Sequence, residues 1–218
     1  MLLDVTKEGF LTVCMFTLAP KSIICFNTHM KKTIITIAGK VGSGKSSTAK
    51  KLAERLSYDH YSSGDFARAV AKKHDMTITQ WNTHAEQYPE LDHEVDNENK
   101  KMADKEHVVI DSRLAFHFIP ESFKVFLDID PSIAAERIYG DLDAAHRTEE
   151  HRAKSIEDMA HDLRVRSQSE TKRYQELYNI NHQDHEHFDL VIDTGLAENN
   201  LDAVVEQIYE AYHTHSAS

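Results

Sequence analysis

The sequence feature that most constrains this chain is a glycine-rich segment, Gly39 to Ser46, which satisfies the pattern G-x-x-x-x-G-K-[ST]. A β-branched run, Thr33–Ala38, precedes it, and a helix-forming run, Lys45–Leu56, follows it, so the segment joins a strand to a helix. Glycines let the backbone wrap a polyphosphate with its N–H groups pointing inward, and the helix adds its positive end. The segment predicts nucleoside-triphosphate binding. The alternative, a glycine-rich helix start without a ligand, does not explain the strand-to-helix placement.

The same segment supplies candidate ligands for a triphosphate and its metal ion. Lys45 can reach the β- and γ-phosphates, and the Ser46 hydroxyl can hold Mg²⁺. Asp111 ends another short apolar run, His107–Asp111, and a carboxylate beside the loop can order Mg²⁺ and its waters. The predicted metal ligands are Ser46 and Asp111, and the predicted ATP-binding residues are Gly39, Lys40, Val41, Gly42, Ser43, Gly44, Lys45, Ser46 and Ser47.

Charge and cysteine content exclude several classes of protein. Among 218 residues, 25 Lys and Arg face 36 Asp and Glu, a net charge of −11. A general nucleic-acid or anionic-membrane binder would be basic, so phosphate binding here must come from a few local cations and backbone N–H groups. The two cysteines, Cys14 and Cys25, cannot staple a fold. We expect a cytoplasmic monomer that binds neither nucleic acid nor membrane.

The first 29 residues differ from the rest of the chain. They show no clean period of 2 or 3.6, and their loose apolar run, Gly9–Pro20, is too short to cross a membrane. At Met30 the pattern changes at once to a basic pair and a strand. Our hypothesis is that Met30 is the physiological start, with a real N-terminal extension, strand or anchor as the alternative. Residues 30–218 are predicted to form one domain.

From Thr33 onward, short apolar strands alternate with helical stretches. This alternation predicts the α/β class: three layers, with a central parallel sheet and helices on both faces. The predicted strands are Thr33–Ala38, His60–Ser62, His107–Asp111, Phe123–Asp128 and Phe188–Asp193. The predicted helices are Lys45–Leu56, Asp65–His74, Ile78–Gln87, Pro89–Lys105, Pro131–Tyr139, Ser155–Tyr178 and Leu201–Tyr212.

Two arginines follow strands at the edge of the predicted sheet where ligands bind. Ser63 or Asp65 can cap the helix after the second strand, which puts Arg68 on its first turns. Arg113 comes two residues after Asp111. An arginine fork at this edge suits a dianionic monophosphate, whereas the alternatives are a surface arginine and a simple strand-ending turn.

The long helix carries a third group of charges. Arg166, Glu170 and Arg173 are spaced i, i+4 and i+7, so they share one face. The alternative is an ion-pair ladder on a solvated surface. Phosphoryl transfer needs converging cations, and two more precede this helix: Arg137, and Arg147 within the broken stretch Gly140–His151.

Taken together, these motifs resemble those of nucleoside-monophosphate kinases, and most closely the archaeal-type cytidylate kinases. The resemblance is carried by SSGDFAR at 62–68, VVIDSRLA at 108–115, RSQSETKRYQELYNIN at 166–181 and FDLVIDT at 188–194. Adenylate kinases share the first of these but would have G-F-P-R near Asp111–Leu114. The resemblance implies transfer of phosphate from ATP·Mg²⁺ to CMP and dCMP, a P-loop kinase fold, an acceptor-binding region at about 60–106 and a short lid at about 140–152.

The resemblance also implies roles for individual residues. Arg166 and Glu170 lie near the acceptor's ribose, and Arg137 is a lid arginine over the transferred group. Ser63, Asp65 and Asp92 belong to the acceptor site. The residues expected to act on the phosphates are Lys45 on ATP and Arg68, Arg113 and Arg173 on the acceptor.

Two departures from the bacterial-type enzymes concern base recognition. Leu114 stands where those enzymes have a base-reading aspartate, and Asp92 stands where they have an arginine. A carboxylate can still accept from the N4 amino group of cytosine, so Asp92 or Asp96, with Thr83, is predicted to read the base. Other nucleoside-monophosphate kinases, for UMP or AMP, remain alternatives.

Two other classes also remain open. A small-metabolite kinase would use Asp65 or Asp111 as a base, and a nucleotide-sensing module would keep the loop without catalysis. Three histidines close to the last strand, His182, His185 and His187, raise the question of a metal site. Without cysteines nearby, we expect them simply to be solvated.

Overall fold

The computed structural model describes residues 3–5, 11–14, 25–28, 33–78, 80–81, 84, 90–140, 155–196 and 198–215. In the first three of these segments the backbone forms strands β1 (Leu3–Val5), β2 (Leu11–Cys14) and β3 (Cys25–Thr28). They pair antiparallel in the order β1-β2-β3. The sequence patterns predicted no regular element there. The hypothesis that Met30 is the physiological start stays a prediction.

A separate five-stranded sheet forms the centre of the domain. All its neighbouring strands are parallel, in the order β5-β6-β4-β7-β8. Parallel pairing brings the carboxyl ends of all five strands to one edge, and the glycine-rich loop leaves the central strand β4 at that edge. The strands are β4 (Ile34–Gly39), β5 (Asp59–Ser62), β6 (Val108–Asp111), β7 (Phe123–Asp128) and β8 (Leu190–Asp193).

Helices connect these strands and cover both faces of the sheet. They are α1 (Lys45–Leu56), α2 (Ser63–Lys73), α3 (Glu90–Lys101), α4 (Ala115–Phe118), α5 (Pro131–Gly140), α6 (Ile156–Tyr178) and α7 (Leu201–His215). Short 3₁₀ turns occupy Met102–Asp104 and His185–His187. Within the described residues, no helix is both long and apolar enough to cross a bilayer.

The alternation of side chains along β4 explains the layering. Ile35 and Ile37 point to one face, where they pack in a cluster with residues of α1 and α7 such as Leu52 and Ile208. Ala38 points to the other face, into a cluster that includes residues of α4 and α6. Because a strand buried on both faces needs apolar side chains at nearly every position, β4 reads as a continuous hydrophobic run. The predicted three-layer α/β fold is confirmed.

Most predicted elements are present, with boundaries that differ by a few residues. The predicted cap of α2 is wrong. The Ser62 hydroxyl accepts from the Asp65 N–H at 3.3 Å, so the helix begins at Ser63 rather than at Asp65. Ser63 is buried, and its hydroxyl donates to Asn99 Oδ1 at 2.5 Å. The predictions of α5 starting at Pro131 and of a regular strand at Phe123–Asp128 are confirmed.

Two predicted segments fall wholly or partly outside the described residues. These are the helix at Ile78–Gln87 and the lid at about 140–152, which is described only at Gly140. Within the first of them, Trp81 is buried against Val70 and Ala71 of α2.

Two glycines of the glycine-rich loop, both with positive φ, are expected to respond differently to substitution by alanine. Gly39 has φ +150°, and a Cβ there would lie 2.3 Å from the Leu127 carbonyl oxygen of β7. Gly44 has φ +81° with open space around it. We expect Gly44→Ala to lower the free energy of unfolding by about 1–2 kcal/mol, the cost of the backbone conformation. Gly39→Ala should cost about 3 kcal/mol or more, because a sheet carbonyl cannot move aside.

Urea denaturation of both variants and the wild type measures this difference. Equal losses for the two variants would contradict the close approach of Gly39 to β7.

Candidate active site

The glycine-rich loop is held in place by its own first lysine and by the neighbouring strand. The Lys40 N–H donates to the Leu127 carbonyl at 3.1 Å, and its ammonium lies 2.6 Å from Asp128 Oδ1. The Lys45 ammonium donates to the Lys40 carbonyl at 3.2 Å, across the mouth of the loop. These contacts leave the loop wrapped around the start of α1, which is the form that binds phosphates.

Lys45 lies where cations crowd together. Burial, and after it the Arg113 guanidinium, lower the pKa of Lys45 to about 8, although Asp111 and Glu170 act in the opposite direction. A bound polyphosphate would stabilise the ammonium form. Arg113, which the sequence assigned to the other substrate, is thus among the charges that act on the lysine of the loop.

Ser46 and Asp111, the two predicted metal ligands, are in direct contact. The Ser46 hydroxyl donates to Asp111 Oδ2 at 2.5 Å, and the Ser62 hydroxyl lies 3.4 Å from the same oxygen. A hydroxyl and a buried carboxylate at the phosphate loop are oxygen ligands of the kind Mg²⁺ prefers. Among the described residues no three His, Cys, Asp or Glu side chains cluster to hold a metal.

A buried carboxylate brings two of the predicted arginines together. Glu170 is 8% exposed and receives Arg113 Nε at 2.8 Å and Arg166 Nε at 3.0 Å. Burial alone would raise the pKa of Glu170, but the two guanidinium groups outweigh it and hold the pKa at about 2. Because Arg113 follows β6 while Arg166 belongs to α6, this is a contact between elements and not an ion-pair ladder on a solvated helix.

Other predicted site residues have different partners in the structure. Arg68 pairs with Asp65 at 2.6 Å on the exposed side of α2. Arg137 donates to the Thr194 carbonyl at 2.5 Å, at the end of β8. The Arg173 guanidinium lies 5.3 Å from the ring centre of its neighbour Tyr174. The roles assigned to these arginines stay predictions.

The predicted base-reading residues lie on or near α3. Asp96 is 4% exposed and accepts a hydrogen bond from the Tyr178 hydroxyl at the end of α6. Burial raises the pKa of Asp96, and that hydrogen bond opposes the rise. Asp92 is on the same helix one turn earlier, but its side chain, like Thr83 and Arg147, lies outside the described residues.

His182 is the residue that the sequence patterns missed. The expectation that it is solvated is wrong, because the residue is only 4% exposed. Its ring and that of Tyr174 pack nearly perpendicular to each other, with 4.9 Å between the ring centres. Burial lowers its pKa to about 4. His185 lies 3.3 Å from Asp128, and His187 stacks on Phe116. The sequence around His182 is polar and gives no indication that this side chain is buried. The side chain is enclosed only because α6 folds back.

Comparison with known proteins gives a consistent result. The AAA domain family model matches residues 35–160. A cytidylate kinase of Natronomonas pharaonis is 37% identical over 183 residues, which cover 82% of this chain and 90% of that protein. A cytidylate kinase of Halobacterium salinarum is 35% identical over 190 residues, with 84% and 91% covered.

A solved structure supports the fold alone. The shikimate kinase from Bacteroides thetaiotaomicron aligns with a TM-score of 0.61 at 14% identity, over 83% of this chain and 98% of that one. This likeness shows a shared P-loop kinase fold and carries no argument about activity.

Glu170→Gln tests the buried cluster. The pKa of Glu170 is lower in the folded chain than the unfolded value of about 4.3, so its stabilisation is present above that pH and lost as pH falls toward 2. At pH 7 we expect the variant to lose about 2 kcal/mol of unfolding free energy, less than a fully buried pair because both arginines are partly exposed.

Urea unfolding at pH 7 and pH 3 measures the effect, and the difference from wild type should shrink at pH 3. Glu176→Gln is the matched control, since Glu176 faces Lys172 on the exposed side of the same helix and should show no measurable loss. A difference that does not change with pH would contradict an ionised Glu170.

Proposed function

The chain belongs to the cytidylate kinase family, and we propose from this premise that it transfers the γ-phosphoryl group of ATP to CMP and dCMP, giving ADP and CDP or dCDP. One observation supports this proposal most directly: Ser46 of the phosphate loop contacts Asp111 at the end of β6, and Arg113, two residues further on, is held by Glu170 of α6. Donor and acceptor phosphates bound to these groups would meet at the same edge of the sheet. That proximity is what phosphoryl transfer requires.

In the proposed mechanism this chain supplies position and charge. The loop amides and Lys45 hold the β- and γ-phosphates of ATP. Arg113 and Arg173 hold the acceptor phosphate, joined by Arg68. Because a phosphate monoester is already anionic, its oxygen attacks the γ-phosphorus in line without a general base, while the cations neutralise charge on the transferred group.

Mg²⁺ would be held by Ser46 and, directly or through water, by Asp111, and it would neutralise charge between the β- and γ-phosphates. The 2.5 Å contact between the Ser46 hydroxyl and Asp111 Oδ2 supports this placement. The same contact argues against Asp111 as the base of an alcohol kinase. Asp65, the other candidate base, is paired with Arg68.

Two arginines change partners in this proposal. Arg68 turns from Asp65 to the acceptor phosphate, which is a modest cost because that ion pair is exposed. Arg137, which holds the Thr194 carbonyl, turns toward the transferred group when the proposed lid closes.

Base recognition is assigned to α3. Leu114 is 4% exposed and packs with Phe116 and Tyr174, so the position that bacterial-type enzymes use for a carboxylate is apolar here. The Asp96 carboxylate already accepts a hydrogen bond from the Tyr178 hydroxyl. We therefore assign the reading of the cytosine amino group to Asp92 rather than to Asp96.

The proposed activity is tested by measuring ADP production with ATP and Mg²⁺ and one of CMP, dCMP, UMP, AMP or no acceptor. We expect CMP and dCMP to support the fastest turnover, because the site combines an acceptor-phosphate clamp with a carboxylate for the base. Fastest turnover with UMP or AMP would contradict the base assignment. No acceptor-dependent turnover would contradict the proposed function.

Asp92→Ala tests the assigned base reader in the same assay. Loss of a good base contact costs about 1–3 kcal/mol of discrimination, so the preference in kcat/KM for CMP over UMP should fall by about 5- to 150-fold. Asp104→Ala changes an exposed aspartate just beyond α3 and is the control. An unchanged preference in the Asp92 variant would move base reading to another residue.

A further inference from the structure

Helix α3 is buried through polar side chains rather than apolar ones. Over the part of α3 whose side chains the structure describes, residues 93–101, the buried residues are Asp96 and Asn99, which are 4% and 2% exposed. Their spacing of i and i+3 puts both on one face of the helix. Helices of globular proteins usually pack through an apolar stripe, so a polar buried face requires a specific explanation.

Each of these two residues receives a hydrogen bond from another helix. The Ser63 hydroxyl of α2 donates to Asn99 Oδ1 at 2.5 Å. The Tyr178 hydroxyl at the end of α6 donates to Asp96 Oδ2. Helix α3 is therefore tied to α2 and to α6 by directed polar contacts.

The three helices joined in this way carry the residues assigned above to the acceptor. Helix α2 carries Arg68. Helix α6 carries Arg166 and Glu170, and Glu170 also holds Arg113 at the edge of the sheet. Helix α3 carries Asp92 in its first turn. The two hydrogen bonds thus connect the helix assigned to the base with the helices assigned to the phosphate and the ribose.

Helix α6 gives this connection a defined length. Glu170, Tyr174 and Tyr178 are spaced i, i+4 and i+8, and Glu170 and Tyr174 are buried. A rise of about 1.5 Å per residue places Tyr178 about 12 Å further along the helix axis than Glu170. The Tyr178 ring packs edge-on against Phe118 of α4, with 5.6 Å between the ring centres. Helix α6 therefore extends from the arginines held by Glu170 to the buried face of α3.

Hydrogen bonds position a helix more exactly than apolar packing does. Hydrophobic contact has no preferred direction, whereas a hydrogen bond restricts both distance and angle. Two such bonds from one helix face restrict rotation of α3 about its axis and its sliding along that axis. Replacing a buried polar pair by apolar residues is often neutral for stability or stabilising, so stability alone does not explain this face.

We propose that Asp96 and Asn99 are positioning residues for the acceptor monophosphate. Their hydrogen bonds hold α3, and Asp92 with it, at a fixed place relative to Arg113 and Glu170. The base and the phosphate of one acceptor molecule can then be bound at the same time. Neither Asp96 nor Asn99 touches the substrate in this inference, which rests on the proposed phosphorylation of a monophosphate.

Variants of the Tyr178–Asp96 hydrogen bond test the inference in the kinase assay. Tyr178→Phe removes the hydroxyl and keeps the ring, Asp96→Leu removes the acceptor oxygen, and Asp96→Asn keeps an acceptor oxygen at the same point. We expect Tyr178→Phe and Asp96→Leu to raise KM for CMP about 5- to 50-fold, because only a fraction of molecules then holds α3 in place. KM for ATP and kcat at saturating CMP should stay close to wild type, since bound CMP restores the position of α3. Asp96→Asn should recover most of the loss.

Asn99→Leu removes the other hydrogen bond and should show the same difference between the two substrates. Tyr209→Phe is the control for loss of a hydroxyl, because Tyr209 belongs to α7, on the other face of the sheet, and its ring lies under Arg55. It should leave both KM values unchanged.

A second readout does not depend on turnover. CMP should raise the melting temperature of Tyr178→Phe and Asp96→Leu less than that of wild type. The ATP analogue adenylyl imidodiphosphate should raise all three equally. Because each variant is compared with its own ligand-free form, this comparison remains valid where a substitution lowers stability. Asp96→Asn provides the same test if Asp96→Leu does not fold.

Three results would overturn the inference: a KM for CMP within about twofold of wild type in Tyr178→Phe, equal increases in KM for CMP and ATP, or equal defects in Asp96→Asn and Asp96→Leu. Turnover of CMP by wild type together with any of these results keeps the kinase and removes the positioning role. If wild type prefers another monophosphate, the variants are compared with that acceptor, since the inference concerns the place of α3. A wild type without acceptor-dependent turnover contradicts the proposed function and this inference with it.

Discussion

The buried carboxylate of Glu170 is the interaction on which the arrangement of the site depends. It joins Arg166 of its own helix to Arg113, which follows β6 at the edge of the sheet. Two guanidinium groups this close would repel each other in a partly desolvated cleft. The carboxylate between them outweighs this repulsion and holds both groups in place. Further polar contacts extend the same frame. Tyr178 ties the end of α6 to α3, and Gln183 ties the following segment back to Ser167.

This frame explains how an acidic protein can bind anions. The net charge of −11 repels polyphosphates at long range, but screening confines that repulsion to about 8–10 Å at physiological salt. At the edge of the sheet the balance is local, and Lys45, Arg113 and Arg166 outnumber the carboxylates of Glu170 and Asp111. A charge distribution of this kind leaves a local excess of positive charge at this edge of the sheet within an acidic protein.

Sequence patterns were sufficient where structure is decided locally. The loop Gly39–Ser46, the strand Phe123–Asp128 and the start of α5 at Pro131 depend on neighbouring residues, and each was predicted at its observed place. Contacts between distant elements were not accessible in this way. The short helix α4 and the burial of His182 depend on packing against distant elements, and Ser62 caps α2 because the helix begins directly after β5, two residues earlier than its pattern indicated.

The pKa shifts of Lys45 and His182 have a common origin. Burial and neighbouring cations lower both, to about 8 and about 4, which is the response of basic groups to a surplus of positive charge at low hydration. A polyphosphate adds negative charge at that point, so it must raise the pKa of each group it approaches. By linkage, the same interaction stabilises the folded chain, since a ligand that binds only the native state adds its binding free energy to that of folding. The surplus of positive charge around Lys45 and His182 is therefore offset when the substrates bind. Substrate binding and the stability of this edge of the sheet thus depend on the same electrostatic interaction.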